Sequence, residues 1–223
     1  MPQALTSALT PARARVAGYD LLPLDSGWEV AAAPPGAVLA SDQLSDLDWI
    51  PARIPGTAAG ALREAGRPLA DLDALDWWFR TTFEAAPPAA GEEILLCLAG
   101  IATTADVILN DELIATGVSM FASQAVEIGR QLRAVNTLTV GCRALGPKLA
   151  MQRSPRARWR TRLVADNGLR WFRSMLLGRI PGFSPGPPAL GPGRPVWIAR
   201  REVGAVDALE LRPVLDGEDG ILT

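Results

Sequence analysis

Histidine is absent from the 223 residues of this chain. Without an imidazole, a Ser-His-Asp triad, a histidine general base and a histidine-ligated metal are all excluded. Cysteine occurs only twice, at Cys97 and Cys142, so no disulfide scaffold is expected in a chain long enough to bury a sizeable core. Both cysteines lie in apolar, strand-like runs where a small buried thiol is the ordinary reading; a bridge would require those strands to pair. No stretch approaches the ~20 apolar residues of a membrane span, and the N-terminus MPQALTSALTPARARV has no apolar core of signal-peptide length. A soluble, cytoplasmic protein that uses no membrane is therefore expected. A net charge of −2 gives no global attraction to nucleic acid, and none is expected as a partner.

What is present is mostly short strands separated by glycine and proline. The chain is organised around Gly100–Gly117, GIATTADVILNDELIATG. Two β-branched-rich runs, Ala105–Leu109 and Glu112–Thr116, are joined by Asn110-Asp111 alone. A two-residue hairpin loop needs positive φ, which Asn and Asp tolerate better than any residue but Gly. Val107, Ile108 and Leu109 are apolar in succession, as in a strand covered on both faces.

Elsewhere, residues 1–18 read as a flexible arm. Trp28–Ala31 is a short strand stopped by Pro34-Pro35-Gly36, and the prolines of the run from Trp49 to Thr57 restrict it to extended, edge-like backbone. Thr57 is the expected N-cap of one short helix, Ala58–Ala65, with Gly66 at its stop position. Asp71, Asp73 and Asp76 lead into a strand with Trp77, Phe79, Thr81 and Phe83 on a core face and Trp78, Arg80, Thr82 and Glu84 on the other. Glu93–Leu98, Ala125–Ile128 and Asn136–Arg143 supply further strands, with a short helix expected near Leu132. Residues 148–179 carry Lys148 and eight arginines against the single acid Asp166. Pro181–Pro195 is dense in Pro and Gly and reads as irregular loop. Pro195–Val203 and Ala208–Val214 return to strand, and Ile221–Thr223 opens one more. Many short strands with one helix imply an all-β fold, an antiparallel jelly-roll sandwich.

The order Trp49…Pro55-Gly56-Thr57, Asp76-Trp77-Trp78-Phe79-Arg80…Phe83, Gly100…Ala105-Asp106-Val107-Ile108-Leu109-Asn110, Asn136-Thr137-Leu138-Thr139-Val140 and Arg194-Pro195-Val196 resembles the N-terminal domain of glycoside hydrolase family 2, most closely its β-mannosidase branch. The resemblance implies a galactose-binding-domain-like sandwich over residues 19–205. It also implies that residues 206–223 are the first strand of an immunoglobulin-like domain, truncated here, and that the catalytic glutamates lie on a (β/α)₈ barrel outside the chain. One motif departs from that branch. Where its members carry Gly-Trp-Asp-Trp-Gly-Pro ahead of Trp-Arg-Pro-Val, this chain has Leu177–Pro185, and Gly193 stands in place of the Trp before Arg194.

Retaining glycoside hydrolysis needs two carboxyls about 5–5.5 Å apart with divergent pKa values. Asp71, Asp73 and Asp76 are the densest acids but read as loop and helix-terminus residues. The Asn-Glu dipeptide that bears the family's acid/base is nowhere in the sequence. No catalytic residue, metal ligand or cofactor is therefore expected. Gly182-Phe183-Ser184-Pro185-Gly186 matches Gly-x-Ser-x-Gly only in letters, because Pro185 has no N–H for an oxyanion hole. Arg156, Arg158, Arg160 and Arg162 alternate with other residues. They read as a solvated or interdomain face or, alternatively, as the wall of a pocket for an acidic or sulfated glycan. Among the seven tryptophans, Trp28, Trp49, Trp77 and Trp197 sit in strand patterns and read as core. Trp171 and Phe183 fall in irregular stretches, where an aromatic can stack on sugar or anchor its own loop. With Arg170, Arg173 and Arg179 as polar partners, they form the expected substrate-binding set. The expected role is that of a non-catalytic domain meeting a carbohydrate substrate together with the barrel; a stand-alone carbohydrate-binding module is the alternative.

Overall fold

A computed structural model describes residues 19–38, 41–69, 71–117, 120–151, 160–202 and 212–222. The elements in chain order are β1 (Tyr19–Pro23), β2 (Trp28–Ala33), β3 (Ile50–Ala52), α1 (Ala58–Glu64), β4 (Asp76–Glu84), β5 (Glu92–Leu98), β6 (Ala105–Leu109), β7 (Glu112–Gly117), β8 (Gln124–Glu127), β9 (Val135–Cys142), α2 (Gly146–Ala150), β10 (Val196–Glu202), β11 (Pro213–Asp216) and β12 (Asp219–Leu222). Single 3-10 turns cover Ser41–Leu44, Leu72–Ala74 and Asn167–Trp171.

Two antiparallel sheets face each other. One has six strands in the order β3-β2-β4-β9-β6-β7, the other four in the order β1-β10-β5-β8. The alternation read along β4 places Trp77, Phe79 and Phe83 in the main core. There they meet Val30 of β2, Val107 and Leu109 of β6, Leu138 and Val140 of β9, Ile94, Leu96 and Leu98 of β5, and Val196 and Ile198 of β10. Each such side chain contributes about 1.5–3 kcal/mol of transfer free energy. Trp28 and Trp77 meet the requirement of a buried indole by donating to Leu24 O (2.8 Å) and Leu72 O (3.0 Å).

The hairpin forms as its two-residue loop requires, with Asn110 at φ 49° and Asp111 at φ 75°. Asn110 does more than turn the chain. Its Nδ2 donates to Asn136 Oδ1 and Gln131 O, both at 2.8 Å, and its Oδ1 accepts from Thr137 N at 2.9 Å. Asn136, fully buried, in turn accepts from Arg133 N and donates to Arg133 O, both at 2.7 Å. These side chains hold the backbone around Leu132 sideways, and the short helix expected there is a turn instead. Helix α1 forms where Thr57 accepts from Gly60 N at 3.1 Å, with Gly66 at φ 66° beyond its end.

The outer face of the six-stranded sheet, on which the alternation along β4 places Trp78 and Arg80, carries a second apolar cluster. Trp78 is buried there with Ala33, Val38 and Leu44, and Leu47, Trp49 and Ile108 close the cluster. Ile108 is thus covered on the face opposite Val107, as expected of a strand with apolar residues in succession. Arg80 lies over the Trp49 ring, 3.9 Å from its centroid. Asp76, buried at the start of β4, accepts from Gly36 N (3.1 Å), Ala144 N (2.7 Å) and Arg143 Nη1 (2.9 Å). Arg143 Nε also donates to Asp106 at 2.7 Å. Cys97 and Cys142 are both free and buried, on strands of opposite sheets, so the pairing a bridge would need does not occur. Burial in the apolar core pushes the Cys142 thiol far above its ordinary pKa.

Candidate functional site

The irregular segments gather at one end of the sandwich: the Gly100–Thr104 connection, Met120, helix α2 and residues 160–195. The Ser174–Arg194 stretch is held there by hydrogen bonds rather than by a strand ladder. Thr103 donates its hydroxyl to Ser174 Oγ at 2.7 Å, and Ala102 and Gly191 exchange backbone bonds of 3.0 Å. Gly56 N and Ala58 N reach Pro192 O and Leu190 O at 3.1 and 2.9 Å. Gly178 closes the bend: a Cβ there would lie 2.1 Å from Pro187 O, and φ is 74°, so only glycine fits.

Arg179 supplies the strongest tie. Its guanidinium grips Asp73 through both terminal nitrogens, with Nη2–Oδ1 at 2.9 Å and Nη1 on Oδ2. The side chains are 5% and 19% exposed, which makes this a largely desolvated forked pair. Arg179 was expected at the surface as a polar partner for sugar, because irregular loops place side chains in solvent. Its sequence-distant partner Asp73 draws it inward instead. The three acids likewise do structural work: Asp71 accepts from Asp73 N at 3.1 Å, Asp73 binds Arg179, and Asp76 holds the start of β4. Among the described residues no group of His, Cys, Asp or Glu could hold a metal ion. No helix among them is long and apolar enough to cross a membrane.

Of the other expected site residues, Arg170 and Trp171 come together. Both line an open cavity of about 420 Å³ with Lys148, Leu149, Ala150, Met151, Arg160 and Gly168. The Arg170 guanidinium is 5.5 Å from the Trp171 ring centroid, its Nη1 donates to Asn167 O at 3.0 Å, and Trp171 is 40% exposed. Arg173 is exposed, with its carbonyl accepting from Met120 N at 3.3 Å, and it does not line this cavity. Phe183 is 84% exposed at the tip of a tight turn in which Phe183 N and Ser184 N both donate to Ile180 O. It also lies outside the cavity, with Leu176 and Leu177 exposed nearby in sequence. Of the alternating arginines, Arg160 and Arg162 are exposed, whereas Arg156 and Arg158 lie outside the described residues.

Lys148 was not singled out from sequence as a site residue, whereas Arg160 was among the alternating arginines read alternatively as the wall of an acidic-glycan pocket, and it does line this cavity. The signal that could have found Lys148 is Gly146-Pro147, since proline in the first turn marks a helix start.

A search of curated proteins gives no significant match. Among solved structures, the β-D-mannosidase of Dictyoglomus thermophilum superposes with a TM-score of 0.64 at 18% identity, over 90% of this chain and 24% of that enzyme. A β-glucuronidase of Ruminococcus gnavus superposes with 0.57 at 17% identity, over 95% and 33%. That of Faecalibacterium prausnitzii gives 0.55 at 19% identity, over 93% and 36%. These likenesses carry the fold, and the chain spans about a quarter to a third of the length of those enzymes. Residues 28–177, about two thirds of the chain, match the family described as glycosyl hydrolase 2 galactose-binding domain-like. With the sandwich those residues build, the chain belongs to that family.

Proposed function

We propose that this chain is the non-catalytic N-terminal sandwich of a β-mannosidase-like glycoside hydrolase, packing against a catalytic barrel and shaping one wall of its substrate cleft through residues 170–186. The observation that supports this reading most is the construction of that loop. It is clamped to the sandwich through Asp73, Thr103 and Ala102, yet it turns Leu176, Leu177 and Phe183 outward. Apolar side chains fixed on an ordered loop are suited to cover against another domain. The hairpin β11–β12 supports the same view. It forms a sheet of its own and exposes Val214, Leu215 and Ile221, as fits the first hairpin of a following immunoglobulin-like domain. The acids of this end are all engaged in structure, so hydrolysis would fall to carboxylates beyond the chain.

Reading the coding sequence downstream of Thr223 tests the proposal. An open frame that continues through a second sandwich and a barrel bearing two facing carboxylates is expected, with mannoside turnover by the whole product. A stop codon directly after Thr223 would overturn it in favour of a stand-alone module.

A further inference from the structure

The cavity between α2 and the 3-10 turn at Asn167–Trp171 has the chemistry of an anion site. Three cationic side chains, Lys148, Arg160 and Arg170, line it, and none of its lining residues is acidic. The one acid of the surrounding stretch, Asp166, is not among the lining residues, and its Oδ1 caps the turn by accepting from Gly168 N at 2.6 Å. None of the ion pairs among the described residues involves Arg160 or Arg170, and Arg170 leaves its Nε without an acceptor. Like charges lining one cavity repel, so a bound anion would relieve them. The cavity is also built rather than incidental. A Cβ at Gly168 would stand 2.9 Å from Leu149 O, so glycine is what lets the turn close against α2.

We infer that this cavity binds the carboxylate or sulfate of an acidic saccharide, with Arg160 and Arg170 engaging the anion and the exposed Trp171 ring stacking on the sugar. Guanidiniums pair with carboxylate and sulfate oxygens through forked, charge-assisted bonds. The volume of about 420 Å³ falls within the ~300–1,000 Å³ of small-ligand sites. A saccharide fits better than nucleic acid because the chain as a whole carries a net charge of −2, where a nucleic-acid binder would carry an overall basic surface. The inference rests on the carbohydrate reading above and names the class of saccharide this separate cavity takes.

The test is titration of the 223-residue chain with trigalacturonate and with a sulfated carrageenan tetrasaccharide, followed by calorimetry and tryptophan fluorescence at low ionic strength. Saturable 1:1 binding of at least one is expected, and which one binds identifies the anionic group. Affinity should fall as salt rises, and Arg160→Gln should weaken it roughly tenfold. Arg160 is exposed and has no ion pair among the described residues, so this variant keeps the fold. Trp171→Ala should abolish the fluorescence change. Mannotriose should bind at least roughly tenfold more weakly than the acidic probe. Binding of neither acidic probe, equal binding of mannotriose, undiminished binding by the Arg160→Gln chain, or tighter binding of oligothymidylate would each overturn the site. Such a failure leaves the scaffold role standing, whereas a stop codon after Thr223 removes the scaffold role and leaves the site standing.

Discussion

Two regions of this molecule hold their shape by different means. From Trp28 to Cys142 the backbone runs in ladders, and neighbouring strands bury alternate side chains in a shared core. Among the described residues from Gly146 to Arg194 there is one helical turn, one 3-10 turn and no ladder longer than a single bridge. That end is fixed by individual contacts: the Asp73–Arg179 fork, the Thr103–Ser174 hydroxyl pair and the Asp166 cap. The difference teaches where each region is vulnerable. A ladder spreads its stability over many small terms, whereas a clamped loop concentrates it in a few polar pairs whose loss frees a whole segment. It also leaves the clamped end free to vary its surface chemistry, and the basic cavity and the exposed apolar tip are both found there.

The contrast can be broken or sharpened by substitution. Asp76→Ala should have the largest effect, because it leaves Gly36 N, Ala144 N and Arg143 Nη1 without their acceptor and Arg143 with Asp106 alone; a loss of about 3–5 kcal/mol is expected in urea unfolding. Asp73→Asn removes the charge from the Arg179 fork and should cost about 2–3 kcal/mol. Its mark should be local, with amide exchange rising across residues 174–190 while the β4 and β9 amides keep their protection. Exchange rising equally in both sheets would show that the loop belongs to the cooperative core and would erase the distinction. Thr57→Ala removes the cap of α1 and should cost about 1 kcal/mol. Phe183→Ala should change the stability of the chain by no more than about 0.5 kcal/mol, because the ring touches solvent rather than core.

The same division decided what could be read from the sequence. The hairpin at Asn110-Asp111, the Thr57 cap and the alternation of Trp77, Phe79 and Phe83 are local signals, and each led to the observed element. Trp78 shows where such signals end. Period-2 alternation placed it on an outer face, but whether that face meets water depends on Val38, Leu44 and Trp49, which fold over it from another part of the chain. Arg179 shows the same in the loop, its position set by an acid 106 residues away. The Leu132 turn was misread as helix because Asn136 and Asn110 compete for its backbone groups through side-chain bonds that propensity does not register. Arg160, Arg170 and Trp171 were legible as cations and an aromatic in an arginine-rich, irregular stretch, whereas Lys148 joined them only when α2 and the 3-10 turn were brought together.

The central claim of the proposed function is that the chain is a scaffold whose clustered acids, Asp71, Asp73 and Asp76, are committed to its own structure. Its most direct test is incubation of the purified 223-residue chain with p-nitrophenyl β-mannoside and β-glucuronide. No release of nitrophenol above the buffer rate is expected with either substrate. Turnover that persists after rigorous purification and is lost in an Asp73→Asn or Asp76→Asn chain would contradict the claim.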